Sequence, residues 1–473
     1  MDVSGYPEFT AQIGQFVNTP LVQKALGESE DCLYLNIYRP KGTKPGDKLP
    51  VLFWIFGGAF ELGWNTMYDG TPWVEASVAQ EQPIIFVTVN YRVGGFGFLP
   101  GKEIKEDGAG NLGLIDQRRG LEWVSDNIEA FGGDPDRVTI WGESAGALSV
   151  FDQAVLYDGD NTYRGKQLFR AGIMNSGTAI PVNDIDGGKG QGVYDTVVEA
   201  GGCSGQEDTL NCLRGLDYHT FLNATSSVSG FLSYSSVALN YLPRPDGKTL
   251  TQSPDVLGLS GKYARVPYII GDQEDEGTLF ALFQPNITTK DELVEYLHNY
   301  FFWNMTINQT WEFISNYEND GVDGCPFGTG DLYRIYPQFK RLGAILGDLV
   351  FTLTRRVVLE ILAEQNQVPT WSYLSSYDKG TPVLGTTHGS DIIQVIYGIK
   401  PNYAADSFKN YYISFVNHLD PNKGTGSKFL HWPQWKENRQ LLRTYGDHAE
   451  YLTDDFRSGS SDFVRAHIKN FYF

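Results

Sequence analysis

Arg137-Val138-Thr139-Ile140-Trp141-Gly142-Glu143-Ser144-Ala145-Gly146-Ala147-Leu148-Ser149-Val150 is the stretch on which the reading of this chain turns. Its first half is β-branched and aromatic, as a short strand over 137–141 requires. Its last four residues continue as a helix. Between them the chain passes through Ser144, with a glycine two residues away on either side. The segment matches G-x-S-x-G, a tight strand-to-helix turn that projects its serine and aims the following amide outward. Gly142 and Gly146, two residues away on either side, let strand and helix approach without collision. In a chain with 53 glycines the pattern arises by chance roughly a few tenths of the time. The strand before it and the helix after it are what give it weight.

Working outward, Asp134-Pro135 marks a turn, and Gly132-Gly133 stops a helix predicted over 112–130, where Leu114, Ile115, Leu121, Val124 and Ile128 recur at helical spacing. Residues 51–56 and 83–89 are continuous apolar runs, the pattern of strands buried on both faces. Further strands are expected at 171–175, 266–270 and 370–375. The alternation of strand and helix predicts an α/β fold, with a central, mainly parallel sheet flanked by helices. The block 290–365, with Tyr296, Phe301, Trp303 and Trp311, reads as a helical insertion covering one end of that sheet. Aromatics at helical spacing are ordinarily core, so no chemistry is assigned to them. Residues 1–473 read as a single domain without internal repeats.

A serine hydroxyl becomes a competent nucleophile when a histidine takes its proton and a carboxylate fixes that histidine's tautomer. Of seven histidines, His388 lies in the small-residue stretch Gly385-Thr386-Thr387-His388-Gly389-Ser390-Asp391 after a predicted strand. The polar run Gly271-Asp272-Gln273-Glu274-Asp275-Glu276-Gly277-Thr278 follows another. The order serine, acid, histidine is that of the α/β-hydrolase fold. Taken singly, a histidine is most often a surface residue, and an acidic run is a solvated or metal-binding loop. Phe56-Gly57-Gly58-Ala59-Phe60 follows an apolar strand. There the amides of Gly58 and Ala59 could join that of Ala145 as an oxyanion hole, although alone it would be an ordinary glycine turn.

Composition narrows the partners. The formal charge of −20 and pI near 4.7 repel phosphate backbones, which excludes nucleic acid as a partner. No apolar run is long enough to cross a bilayer, and Met1-Asp2-Val3-Ser4-Gly5 has neither the basic nor the apolar part of a signal peptide. Against a cytosolic reading stand four Asn-x-Thr sequons, at Asn223, Asn286, Asn304 and Asn308. Cys203 and Cys212 stand close together in a polar, Gly-rich stretch, as a surface disulfide loop or as two free thiols.

Several stretches resemble the type-B carboxylesterase/lipase family, the cholinesterase-like esterases. They are Ser29-Glu30-Asp31-Cys32-Leu33-Tyr34-Leu35-Asn36, Asn90-Tyr91-Arg92, Ala109-Gly110-Asn111-Leu112-Gly113-Leu114-Ile115-Asp116-Gln117, and Phe131-Gly132-Gly133-Asp134-Pro135 ahead of Ser144. Gly271 to Thr278 is similar to the secreted fungal lipases of that family, in which the glutamate before Gly-Thr is the acid. The resemblance therefore implies Ser144 as nucleophile, His388 as general base and Glu276, rather than Glu274 or Asp275, as the acid. It also implies a Cys203–Cys212 disulfide, secretion, no cofactor or metal, and a small-molecule or lipid ester as substrate, with contact at a lipid interface compatible with it.

The family's usual N-terminal segment, with a cysteine that pairs with the one in Ser-Glu-Asp-Cys, is expected to be missing ahead of Cys32. Cys32 and Cys325 then stand unassigned, and Glu30 is expected as a buried carboxylate without its arginine, the alternative being that Glu30 is simply exposed and Cys32 an inert thiol. Two rival functions remain on the sequence. One is a non-catalytic adhesion or binding module of the same family. The other is a metal-dependent hydrolase using the acidic run, which lacks clustered histidine ligands.

Overall fold

Continuous apolar runs need cover on both faces, and here they form the interior of one sheet. The computed structural model describes residues 29–317, 320–399, 401–424 and 428–473. Its main sheet is built from β1 (Leu35–Tyr38), β2 (Leu49–Ile55), β3 (Ile85–Val89), β4 (Gly133–Glu143), β5 (Ala171–Asn175), β6 (Tyr268–Gln273), β7 (Thr370–Ser375), β8 (Gln440–Thr444) and β9 (Ala449–Thr453). These nine strands lie in the order β1-β3-β2-β4-β5-β6-β7-β8-β9. Neighbours from β3 through β8 run parallel, and β1 and β9 close the two edges antiparallel. Every residue of β3, β5 and β7 is buried, whereas β1 is half-buried throughout and β9 is half-buried or exposed. That gradient is what central and edge positions demand.

The expected strands are all present, with two shifts of physical interest. Asp134-Pro135, read as a turn before a short strand, lies inside β4. Leu49 pairs with Gly133 and Val51 with Val138, so β4 carries extra residues there as a bulge. Asp134 Oδ1 accepts the Asp136 N–H at 3.0 Å, which preserves a turn within the strand. β6 begins at Tyr268 rather than 266 and runs on through Asp272 and Gln273, residues read as loop. They stay paired because β7 continues beside them, Asp272 opposite Leu374 and Gln273 opposite Ser375. The Asp272 charge is met by Arg355 at 2.7 Å.

The helices α1 (Leu112–Asn127) and α2 (Ala145–Gly159) flank the centre of the sheet. They are joined by Gln117 Nε2 donating to Ser149 Oγ at 3.0 Å and Gln153 Nε2 to the Leu114 carbonyl at 2.8 Å. α1 passes into a 3-10 turn, Ile128–Phe131, and stops at Gly132 with φ 88°. α2 leaves helical geometry at Leu156, Tyr157 and Asp158.

Residues 290–365 contain α3 (Lys290–Tyr300), α4 (Ile307–Ile314), α5 (Phe339–Gly347) and α6 (Leu353–Leu359), with π-helical turns at Asp348–Thr352 and Glu360–Gln365. Thr289 with Glu292 and Thr306 with Gln309 form capping boxes at the starts of α3 and α4. Tyr296 and Phe301 are core, but Trp303, grouped with them on the sequence, is 53% exposed. It stands in the turn after α3, where no neighbouring layer covers it. Arg355 of α6 is fully buried between Asp272 of β6 and Asp454, which follows β9, each at 2.7 Å.

The disulfide Cys203–Cys212 is formed, with Cα atoms 5.8 Å apart. Cys32 is half-buried and Cys325 buried, both as free thiols. Glu30 corrects the sequence expectation: it is exposed, so solvent carries its charge and no arginine is needed. The segment ahead of Cys32, residues 1–28, lies outside the described residues.

Candidate active site

Three loops at the carboxyl ends of parallel strands converge, the edge at which open α/β sheets bind ligands. β4 delivers Ser144, which has φ 57° and ψ −126°. A non-glycine residue holds such a conformation only where its surroundings impose it. Here they do so through three backbone contacts. A side chain on Gly146 would place its Cβ 2.1 Å from the Ile55 carbonyl oxygen, and one on Gly142 would fall 2.3 Å from the Gly146 carbonyl. Strand, turn and helix therefore touch backbone to backbone. The Ser144 N–H donates to the Asn175 carbonyl at 2.9 Å, tying the turn to the end of β5.

His388 stands in the loop after β7, with Nε2 2.8 Å from Ser144 Oγ and Nδ1 2.6 Å from Glu276 Oε2. The other oxygen of Glu276 accepts the Gln273 N–H at 2.7 Å. A proton on Nδ1, donated to Glu276, leaves Nε2 free to accept from the serine hydroxyl. Phe351, in the π-turn Asp348–Thr352, and Phe280 pack on the imidazole with ring centroids 4.4 and 5.1 Å away.

The acidic run sorts its carboxylates one by one. Asp272 pairs with Arg355. Glu274 turns to the other side, 2.6 Å from Arg443 and 3.6 Å from Lys379. Asp275 is buried and accepts the Phe327 N–H at 2.8 Å and the Thr386 N–H at 2.9 Å, which laces the acidic loop to the loop of His388. Burial pushes Asp275 up to about 7. Only Glu276 meets the imidazole. Among the described residues no group of three or more His, Cys, Asp or Glu is arranged to hold a metal ion.

Two acids that sequence reasoning missed sit against the same histidine or its loop. Glu143, immediately before the serine, is 2% exposed, with Oε1 3.4 Å from His388 Nε2 and without a hydrogen-bond partner. Burial pushes it well above the carboxylate range. Asp391 accepts from Asn175 Nδ2 at 2.8 Å, and burial raises it to about 6. No local signal marks either residue, since each acquires its role only when three loops meet. For His388, burial opposes the charge, but Glu276 and then Glu143 outweigh it and hold the imidazole above its ordinary range. Glu276, which also hydrogen-bonds the imidazole, is the larger of the two pulls.

The glycine turn after β2 lies directly against the serine. A Cβ on Gly57 would come 2.9 Å from Ser144 Cβ. Gly58 (φ 102°) and Ala59 (φ 58°) both lie in the left-handed region, and neither their amides nor that of Ala145 donates to any described residue. The sequon residues Asn223, Asn286, Asn304 and Asn308 are all exposed. No helix among the described residues is long and apolar enough to cross a membrane.

Sheet order, strand-end loops and the glycine-flanked turn together define an α/β-hydrolase. The crystal structure of Aspergillus niger EstA superposes with a TM-score of 0.82 at 27% identity, over 95% of this chain and 87% of that one. The model of the carboxylesterase family matches residues 5–463, and the chain belongs to that family. Secreted lipase 1 of Botryotinia fuckeliana is 61% identical over 464 residues, 98% of this chain and 81% of the relative. The secreted triacylglycerol lipase LIP1 of Gibberella zeae is 57% identical over 464 residues, 98% of this chain and 79% of the relative. The chain is a carboxylic ester hydrolase, which sets aside the adhesion module.

Proposed function

We propose that the chain hydrolyses carboxylic esters through an acyl-enzyme, with Ser144 as nucleophile, His388 as general base and then acid, and Glu276 orienting the imidazole. The observation that carries this reading is the hydrogen-bonded chain from Ser144 Oγ through His388 to Glu276, at 2.8 and 2.6 Å. Ser144 Oγ attacks the ester carbonyl carbon while His388 Nε2 takes its proton. The amides of Gly58, Ala59 and Ala145 receive the developing oxyanion. His388 returns the proton to the departing alkoxide. Water then repeats the sequence on the acyl-enzyme, releasing the acid and regenerating the serine.

The substrates proposed are lipid esters, in keeping with relatives named as lipases, met at a lipid interface by an enzyme that acts as one unit. Secretion is proposed from relatives named as secreted, the Cys203–Cys212 disulfide and the exposed sequons. The test is Ser144→Ala assayed on a soluble chromogenic ester. Hydrolysis should fall on the order of 10⁴-fold or more, with an unchanged circular-dichroism spectrum. A variant that keeps its activity overturns the assignment.

A further inference from the structure

Beyond the three residues in the hydrogen-bonded chain, the turn that carries the oxyanion donors is itself under strain. Ala59 and Phe60 are consecutive non-glycine residues in the left-handed region, at φ 58° and 61°. Such geometry lasts only where neighbours over-determine it. The turn is closed by the amides of Glu61 and Leu62, which donate to the Gly58 carbonyl at 2.9 and 3.1 Å. On one side it is held by the Phe60 ring against Phe98, centroids 4.9 Å apart, and by the Phe60 carbonyl accepting the Gly94 N–H at 2.6 Å.

The other side rests on Glu61. Its Oε2 accepts the Phe231 N–H at 3.1 Å, and a Cβ on Gly230 would lie 2.7 Å from the same oxygen. Its Oε1 is buried without a partner, and among the described residues no cation pairs with the side chain. The titratable neighbour is Tyr241, whose own hydroxyl donates to the Thr225 carbonyl at 2.6 Å. A desolvated carboxyl without a counter-ion is unfavourable. Burial pushes Glu61 up to about 7, against the pull of the Phe231 amide. Ion pairing does not explain its presence. What it does is reach across 170 residues of sequence to clasp backbone.

The geometry points to Glu61 as a positioning residue for ester hydrolysis: its carboxyl ties the turn Gly57–Leu62 to the Gly230–Phe231 backbone and keeps the Gly58 and Ala59 amides aimed at the oxyanion. This rests on the reading of those amides proposed above. Because the amides bind the transition state more strongly than the ground-state carbonyl, slackening the turn lowers kcat while leaving KM nearly untouched.

The experiment measures kcat, KM and melting temperature of the full chain on a soluble short-chain chromogenic ester, for wild type, Ser144→Ala, Glu61→Leu, Glu61→Gln and Phe231→Pro. Glu61→Leu should lower kcat about tenfold or more with KM within about twofold. Glu61→Gln, whose amide oxygen can still accept the Phe231 N–H, should restore most of kcat. Should the leucine variant not fold, Phe231→Pro removes the donor from the opposite side and carries the same expectation. A kcat within about twofold of wild type in the variants lacking the bond overturns the proposal. So does an equal loss in Glu61→Gln, or a rise in KM alone. An active Ser144→Ala instead refutes the site reading underneath, and the two failures are told apart by that control.

Discussion

Glu274, Asp275 and Glu276 are adjacent, acidic and alike in composition, yet they end in three different environments. Glu274 meets Arg443, Asp275 meets the Thr386 and Phe327 amides, and Glu276 meets His388. Charge and spacing left the three open, and family resemblance chose among them. The structural reason is that β6 runs on to Gln273, so the loop begins late and successive side chains leave it in different directions. Glu276→Gln keeps the shape of the acid but offers the imidazole an amide, favouring the wrong tautomer. It should lower kcat steeply, toward the 10⁴-fold loss typical of a broken triad acid. Glu274→Gln gives up a largely buried ion pair with Arg443, which lowers stability, but Glu274 does not touch His388, so kcat of the folded variant should stay within about twofold. A larger loss in Glu274→Gln than in Glu276→Gln, by steady-state kinetics, would reverse the assignment.

At the scale of elements, long apolar runs were legible and short polar-edged strands were not. β2 and β3 announce themselves because burial on both faces demands an unbroken apolar run. β8 and β9, at the far edge, carry Arg443, Glu450 and Thr453 and pair antiparallel as a hairpin, a pattern that looks like loop until a neighbouring strand exists to receive it. The bulge in β4 was legible only as a turn, because Asp134-Pro135 signals local geometry and not the register around it. The disulfide joins Cys203 to Cys212, with a sequence separation of 9. On the chain-entropy account such a short loop contributes about 2–3 kcal/mol. Replacing both cysteines by serine should lower the unfolding free energy by about that amount in chemical denaturation, and no change in midpoint would show the loop to be ordered without the bond.

Across the whole molecule, burial moves several acids in one direction. Asp275 is pushed to about 7, Asp391 to about 6 and Glu61 to about 7, while Glu143 and Asp152 rise well above the carboxylate range. A carboxyl whose folded value is raised binds its proton more tightly in the native state, so the native state holds more protons and stability falls as pH climbs from the ordinary carboxylate range toward those values. His388 acts in the same sense, because stability from its raised value is complete below the ordinary imidazole range and is lost as pH rises through the folded one. The formal charge of −20 adds repulsion in the same direction. Melting temperature should therefore be higher near pH 5 than near pH 8, roughly, whereas hydrolysis, under the proposed mechanism with His388 as base, should rise across that interval. A melting curve that moves the opposite way would contradict the burial of these acids.

The chain's own pattern was enough for the parallel α/β sheet and the serine on its glycine-flanked turn, and it offered the histidine in its small-residue loop as a candidate. Each is written in local terms, as hydrophobic period, backbone permissiveness and residue type. Tertiary structure alone decided where Glu274 and Asp275 turn instead of to His388, that Glu143 and Asp391 crowd the same loop, that Phe280 and Phe351 pack on the imidazole, that Glu61 clasps a segment 170 residues away, and that Glu30 lies in solvent. Those relations depend on where separate strand ends converge and on what each burial excludes from water, and no window of sequence contains either.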